Sequence, residues 1–165
     1  MGHNISAIIL KGDYDNVKAE EYDLIGMALP NCDLTMFHIN HYYSAYWQAK
    51  LGTDGHLYSK NIDYILFPNE QSIAYLISLI TGKQDALYAI IATDYFGGIG
   101  NQWANVYQGD LIVDLSIKSI NDALYHLGVR SNEGMDEFDT VGLSGHRSEP
   151  EYLEKYIDLA DQMGV

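Results

Sequence analysis

The alternation of apolar and polar positions divides the chain into short strands and amphipathic helices, with glycine or proline at most of the boundaries. A largely apolar run from Ile5 to Leu10 ends at Lys11 and Gly12-Asp13, which predicts a first strand closed by a turn. Val17 to Leu29 reads as one helix stopped by Pro30, and Leu34 to Ile39 as a second strand. Between Tyr42 and Leu51, Tyr42, Ala45, Tyr46 and Ala49 recur at helical spacing, and Gly52 is placed to end that helix. In this reading Tyr42 and Tyr46 face the core, while Tyr43 and Trp47 share the neighbouring face. Tyr64 to Phe67 predicts a short strand before Pro68. Asn69 then caps a helix with the stripe Ile73, Leu76, Ile77 and Ile80, closed by Gly82.

Ala86 to Phe96 is a long β-like run and Gln102 to Gln108 alternates in character, so Gly97-Gly98-Ile99-Gly100 between them predicts a hairpin turn. Leu111 to Leu115 follows as a strand. Ser116 is placed to cap a helix with Ile117, Ile120, Leu124 and Leu127 on one face, ending at Gly128. The glycine-rich, polar stretch from Arg130 to Arg147 reads as a long surface loop with one short strand at Thr140 to Leu143. Ser148 and Glu151 form a capping box for a last helix carrying Leu153, Tyr156, Ile157 and Ala160. No repeat or linker divides the chain, and the hairpin breaks strict strand–helix alternation. The fold class expected is a single α+β domain, with four to five helices against a mixed or largely antiparallel sheet.

With 165 residues the chain is long enough to bury a full core, and its lone Cys32 excludes an internal disulfide. The first residues carry no basic leader, and no apolar stretch approaches the roughly 18 residues of a membrane helix. Met1-Gly2-His3-Asn4-Ile5-Ser6 matches the short pattern for N-myristoylation, yet no basic cluster follows to supply a second membrane signal. The expected location is cytoplasmic. The net charge of −14 goes beyond the magnitude of roughly 2 to 8 that suits solubility in a small domain. Such a field repels phosphate backbones and anionic lipid heads, so nucleic acid and membrane are not expected partners and a basic protein is.

The most unusual segment is Asp94-Tyr95-Phe96-Gly97-Gly98-Ile99-Gly100-Asn101-Gln102-Trp103. It lacks the Gly-Lys-Ser/Thr of a phosphate loop and opens a strand rather than a helix, which leaves two readings, a structural hairpin and a recognition tip. The stretch from Tyr95 to Gln102 resembles a Tyr-Phe-Gly-Gly-x-Gly-x-Gln segment joining two strands in small uncharacterised bacterial proteins. Some of these look like immunity or accessory proteins of toxin systems. The resemblance implies no catalytic residue.

His38 and His41 form a His-x-x-His pair without a nearby acidic ligand, so no metal and no cofactor is expected. Gly142-Leu143-Ser144-Gly145-His146 only approximates a nucleophile elbow, and no catalytic residue is assigned. The fourteen tyrosines, with Tyr43 and Trp47 among the candidate surface aromatics, suit an interface better than a reaction centre. The expected function is therefore a non-enzymatic acidic binding protein, an inhibitor or immunity factor for a basic partner. Its candidate contact residues are Tyr95, Phe96, Gly97, Gly98, Gly100, Gln102, Trp103, Asp136, Glu137, Asp139, Tyr43 and Trp47. The alternative is a small enzyme or ligand-binding domain with a pocket beside the glycine hairpin, using Asp94, Tyr95, Gln102 and His146.

Overall fold

The computed structural model describes residues 2–57 and 63–165. Its centre is an antiparallel sheet of seven strands among the described residues: β1 (Gly2–His3), β2 (Ser6–Lys11), β3 (Gly26–Ala28), β4 (Leu34–Ile39), β5 (Leu87–Phe96), β6 (Ile99–Gln108) and β7 (Leu111–Ile112). The order is β3-β4-β2-β5-β6-β7, with β1 lying beyond β2 along β5. Among the described residues six α-helices cover it: α1 (Asn16–Glu21), α2 (His41–Leu51), α3 (Glu70–Thr81), α4 (Ile120–His126), α5 (Glu137–Thr140) and α6 (Lys155–Gln162).

Helices lie on both faces, which explains why β2 is apolar at successive positions rather than alternate ones. Ile8, Leu10, Phe37, Ile39, Tyr88 and Ile90 meet residues of α1, α2, α3 and α6 on one face. Ala7, Ile9, Met36, Ala89, Ile91 and Val106 meet α4 and the 129–143 segment on the other. The fold is α+β, as the broken strand–helix alternation predicts, with an antiparallel sheet and no parallel pair between its strands.

Several boundaries differ from the sequence reading, each for a local reason. The predicted helix from Val17 to Leu29 is two elements. α1 is capped by Asp15, whose carboxylate accepts from the Lys18 amide at 3.1 Å, and it stops at Tyr22 and Asp23, the latter in the left-handed region. Gly26 then costs a helix about 1 kcal/mol, and Gly26–Ala28 instead pairs with Thr35–Phe37 as an edge strand. Tyr64 to Phe67 turns back toward α3 and forms no strand; Ile65 is 88% exposed while Phe67 is buried. The strand expected from Leu111 to Leu115 is only Leu111–Ile112.

Ser116 does not cap α4. Its hydroxyl donates to Asp114 at 2.7 Å, and Ser119 caps the helix by accepting from the Asp122 amide at 3.1 Å. The 130–147 stretch has no strand at 140–143; Asp136 caps α5 and Thr140, Val141 and Leu143 are buried against the sheet. Ser148 forms no capping box. Its backbone bridges Asn4, and a 3-10 turn at Glu151–Leu153 leads into α6, leaving Ile157 exposed.

In α2 the predicted core face holds at Ala45, which is buried, and at the half-buried Tyr46, and fails at Tyr42. Tyr43 is fully buried, its hydroxyl donating to the Tyr22 carbonyl at 2.6 Å and its ring edge-on to Tyr156 at 4.9 Å, whereas Tyr42 is 37% exposed. Tyr42, Tyr43, Tyr46 and Trp47 spread over an arc of about 140° of this helix, too broad for spacing alone to say which ring is innermost; the packing against α6 selects Tyr43. The stripe of α3 is as predicted, with Ile73, Leu76, Ile77 and Ile80 all buried and Gly82 left-handed at the end.

Candidate functional site

The glycine segment is a two-residue hairpin. Gly97 and Gly98 both take positive φ, 62° and 81°, as a tight turn matched to strand twist requires. Gly100 serves a different end, because a Cβ there would run into the Asp94 carbonyl oxygen and the Tyr95 backbone. Register then assigns the surrounding side chains to two faces. Phe96 pairs with Ile99, Asp94 with Asn101 and Ala92 with Trp103, so all six share one face; Thr93, Gln102 and Tyr95 share the other.

On the first face Phe96 and Ile99 are 81% and 82% exposed beside the turn. Behind them the half-buried Trp103 stacks flat on Tyr64, centroids 4.1 Å apart and planes 7° apart, and its indole N–H donates to Asp63 at 2.8 Å. Burial raises the Tyr64 phenol above its ordinary range, and the Asp94 and Glu149 charges add to the shift. The face thus combines two exposed apolar side chains, an aromatic stack and the acids Asp63, Asp94 and Glu149.

The second face of the hairpin forms one wall of a cleft of about 260 Å³ with α4, α5 and β1. Tyr95 and Gln102 line it, as does Asp136. Asp94 and His146, expected in the same pocket, do not line it: strand alternation turns Asp94 away, and the His146 ring lies against His38, centroids 5.8 Å apart and planes tilted by 57°. Most polar atoms of the cleft serve the fold. The Gln102 amide donates to the Tyr95 hydroxyl at 3.2 Å and accepts from the Ile120 amide at 2.7 Å, tying the hairpin to α4. Asp136 accepts from the Asp139 amide at 2.8 Å and from the Asn121 side chain at 3.2 Å, so it is both a helix cap and part of the acidic surface. Glu137 is half-buried and Asp139 exposed on the same short helix.

His3 is held at both ring nitrogens. Nε2 donates to the Leu143 carbonyl at 3.0 Å, and Nδ1 accepts from Thr93 at 2.8 Å, whose oxygen accepts in turn from the Ile5 amide at 3.1 Å. Ser144 lines the cleft, whereas His38 and His146 meet each other outside it. His41 is elsewhere, its Nδ1 donating to the Phe67 carbonyl at 3.2 Å. Among the described residues no three His, Cys, Asp or Glu side chains are grouped to hold a metal. Of the remaining candidates, Tyr43 is fully buried and offers no surface, while Trp47 is half-buried, edge-on to Tyr22 and Tyr46. The sequence reading missed His3, Asn121, Phe138 and Arg147 in the cleft, because they come from four separate segments with no local pattern to link them.

His38 gives the molecule an acid sensitivity. It is buried, and desolvation, followed by the neighbouring His146 and His3, lowers its pKa from 6.5 to about 4. The folded ring stays neutral where the unfolded ring takes a proton. Between pH 6.5 and about 4 the unfolded chain therefore binds more protons, and stability is lost as the pH falls through that window. The loss amounts to about 2–3 kcal/mol by the lower end. Denaturation at pH 7, 5.5 and 4 should show a steeper decline for wild type than for His38→Gln; equal slopes would contradict this origin.

No family model, curated protein or solved structure matches this chain.

Proposed function

We propose that the protein is a non-enzymatic binding protein, an intracellular inhibitor or immunity factor that holds a basic protein partner through the outer face of the β5–β6 hairpin. The observation that carries this reading is the Phe96–Ile99 pair, two large apolar side chains left in almost full contact with solvent beside the two-glycine turn. Such exposure has no role in folding, and an isolated apolar pair on a projecting turn suits an anchor that becomes buried on binding. The adjoining Asp63, Asp94 and Glu149, within a chain of net charge −14, provide a field that accelerates encounter with a basic surface.

The cleft behind the hairpin favours the alternative reading, a ligand-binding domain, less strongly. Tyr95, Gln102, Asp136 and His3 lie in it, but their hydrogen bonds are made to the protein itself.

The test is affinity capture from a native lysate with wild type and with the double variant Phe96→Ser/Ile99→Ser, which removes no buried group. Wild type should retain a basic protein at low salt and release it as salt rises, while the double variant retains far less with an unchanged melting temperature. Equal retention by both, or retention of acidic proteins only, would exclude this face.

A further inference from the structure

A second pocket, of about 370 Å³, opens where the chain between β1 and β2 passes the start of α2 and the 64–66 turn. The residues that line it include His41, Tyr42, Tyr64, Leu66 and Glu149. His41 and Tyr42 meet edge to face at 5.7 Å, and Tyr64 is the ring already stacked on Trp103. No lysine or arginine lines the pocket among the described residues.

We propose that this pocket receives a guanidinium side chain, an arginine presented by the basic partner. The inference rests on the binding-protein reading and adds the chemistry the surface recognises. Aromatic rings beside a carboxylate suit a planar cation that stacks on a π-face while its N–H groups donate to oxygen. One oxygen of Glu149 accepts from the Asn40 side chain at 2.8 Å, which fixes the carboxylate at the pocket wall. Asn40 is itself the cap of α2, its Oδ1 accepting from the Tyr43 amide at 2.7 Å.

The start of α2 brings a partial positive charge of about half a unit, which opposes a cation. Glu149 outweighs it, and Asp94, whose charge also acts on Tyr64, adds a second negative charge. His41, tied through Nδ1–H to Phe67, adds no charge when its ring is neutral. Tyr64 belongs to both this pocket and the hairpin face, so one partner can bury Phe96 and Ile99 while placing an arginine here.

The experiment uses the full chain at pH 8 and low salt, titrated with N-acetyl-arginine methylamide and with its neutral isostere N-acetyl-citrulline methylamide. Binding is followed by the NMR signals of the Asn4 and Asn40 side-chain amides and the Trp103 indole. The arginine compound should bind in the millimolar range and about tenfold more tightly than the citrulline compound, the discrimination expected for one charge-assisted contact. Glu149→Gln, which keeps an acceptor for Asn40, should remove that discrimination without changing the melting temperature.

Equal binding of the two compounds, or shifts confined to the cleft around Asp136, would overturn the proposal. If a basic protein is captured but the arginine compound fails, the pocket is wrong and the hairpin face stands. If the arginine compound binds here and no partner is captured, the pocket stands and the protein-binding reading fails.

Discussion

Leu76→Ala should cost about 2–5 kcal/mol of folding free energy, the range measured for removing a fully buried leucine from a packed core. Leu76 has no exposed surface and lies in the α3 stripe with Ile73, Ile77 and Ile80 against the first face of the sheet. Truncation removes transfer energy and leaves a cavity that the rigid sheet beneath cannot close. Urea denaturation measures the change, and a loss below about 1 kcal/mol would mean that α3 does not pack as described. Because α3 carries no residue of the hairpin face, binding by the folded fraction should be unaffected.

A second large effect is expected at the buried pair of Tyr107 and Glu70. Glu70 opens α3 with its side chain fully buried, and the Tyr107 hydroxyl donates to its Oε2. His56 Nδ1 lies 3.5 Å from Oε1. Burial pushes the Tyr107 phenol well above its ordinary range, and the Glu70 charge raises it further, so the proton stays on Tyr107 and is available to donate. Tyr107→Phe removes this donor from a carboxylate that water does not reach, which should cost about 2–4 kcal/mol. In the Glu70→Gln background the same substitution should cost at least about 1 kcal/mol less, since no charge then needs the hydroxyl. Equal costs in the two backgrounds would show that Tyr107 contributes only shape.

The acidic helix α5 shows how one residue can serve two ends. Replacing Asp136, Glu137 and Asp139 by their amides removes charge while leaving an acceptor at position 136 for the Asp139 amide, since asparagine is also a good cap. Alanine at 136 would confuse the two effects, because it discards the cap as well as the charge.

Where local chemistry decides the outcome, the sequence was sufficient. Gly52 and Gly82 end α2 and α3 because a left-handed residue is needed there, and Gly97-Gly98 turns the hairpin for the same steric reason. The long apolar strands β2, β4 and β5 are also legible, since burial on both faces leaves a continuous apolar run, and the α3 stripe is legible from its helical period. The acidic character and the exposed hairpin segment were readable too, though not which side chains would share a face.

Tertiary structure decided the rest. Short apolar stretches such as 24–29, 64–67 and 140–143 carry too few residues to distinguish strand, helix and turn, and the neighbours they pack against select the state. The choice of Tyr43 over Tyr42 for the core depends on where α6 lies. The division of Asp94 from Tyr95 follows from strand alternation and the pairing of β5 with β6. The pocket of Tyr42, Tyr64 and Glu149 gathers residues from three separate segments of the chain. No local sequence pattern can encode such a meeting, because it is created by chain segments that touch only after the sheet and both helical layers have assembled.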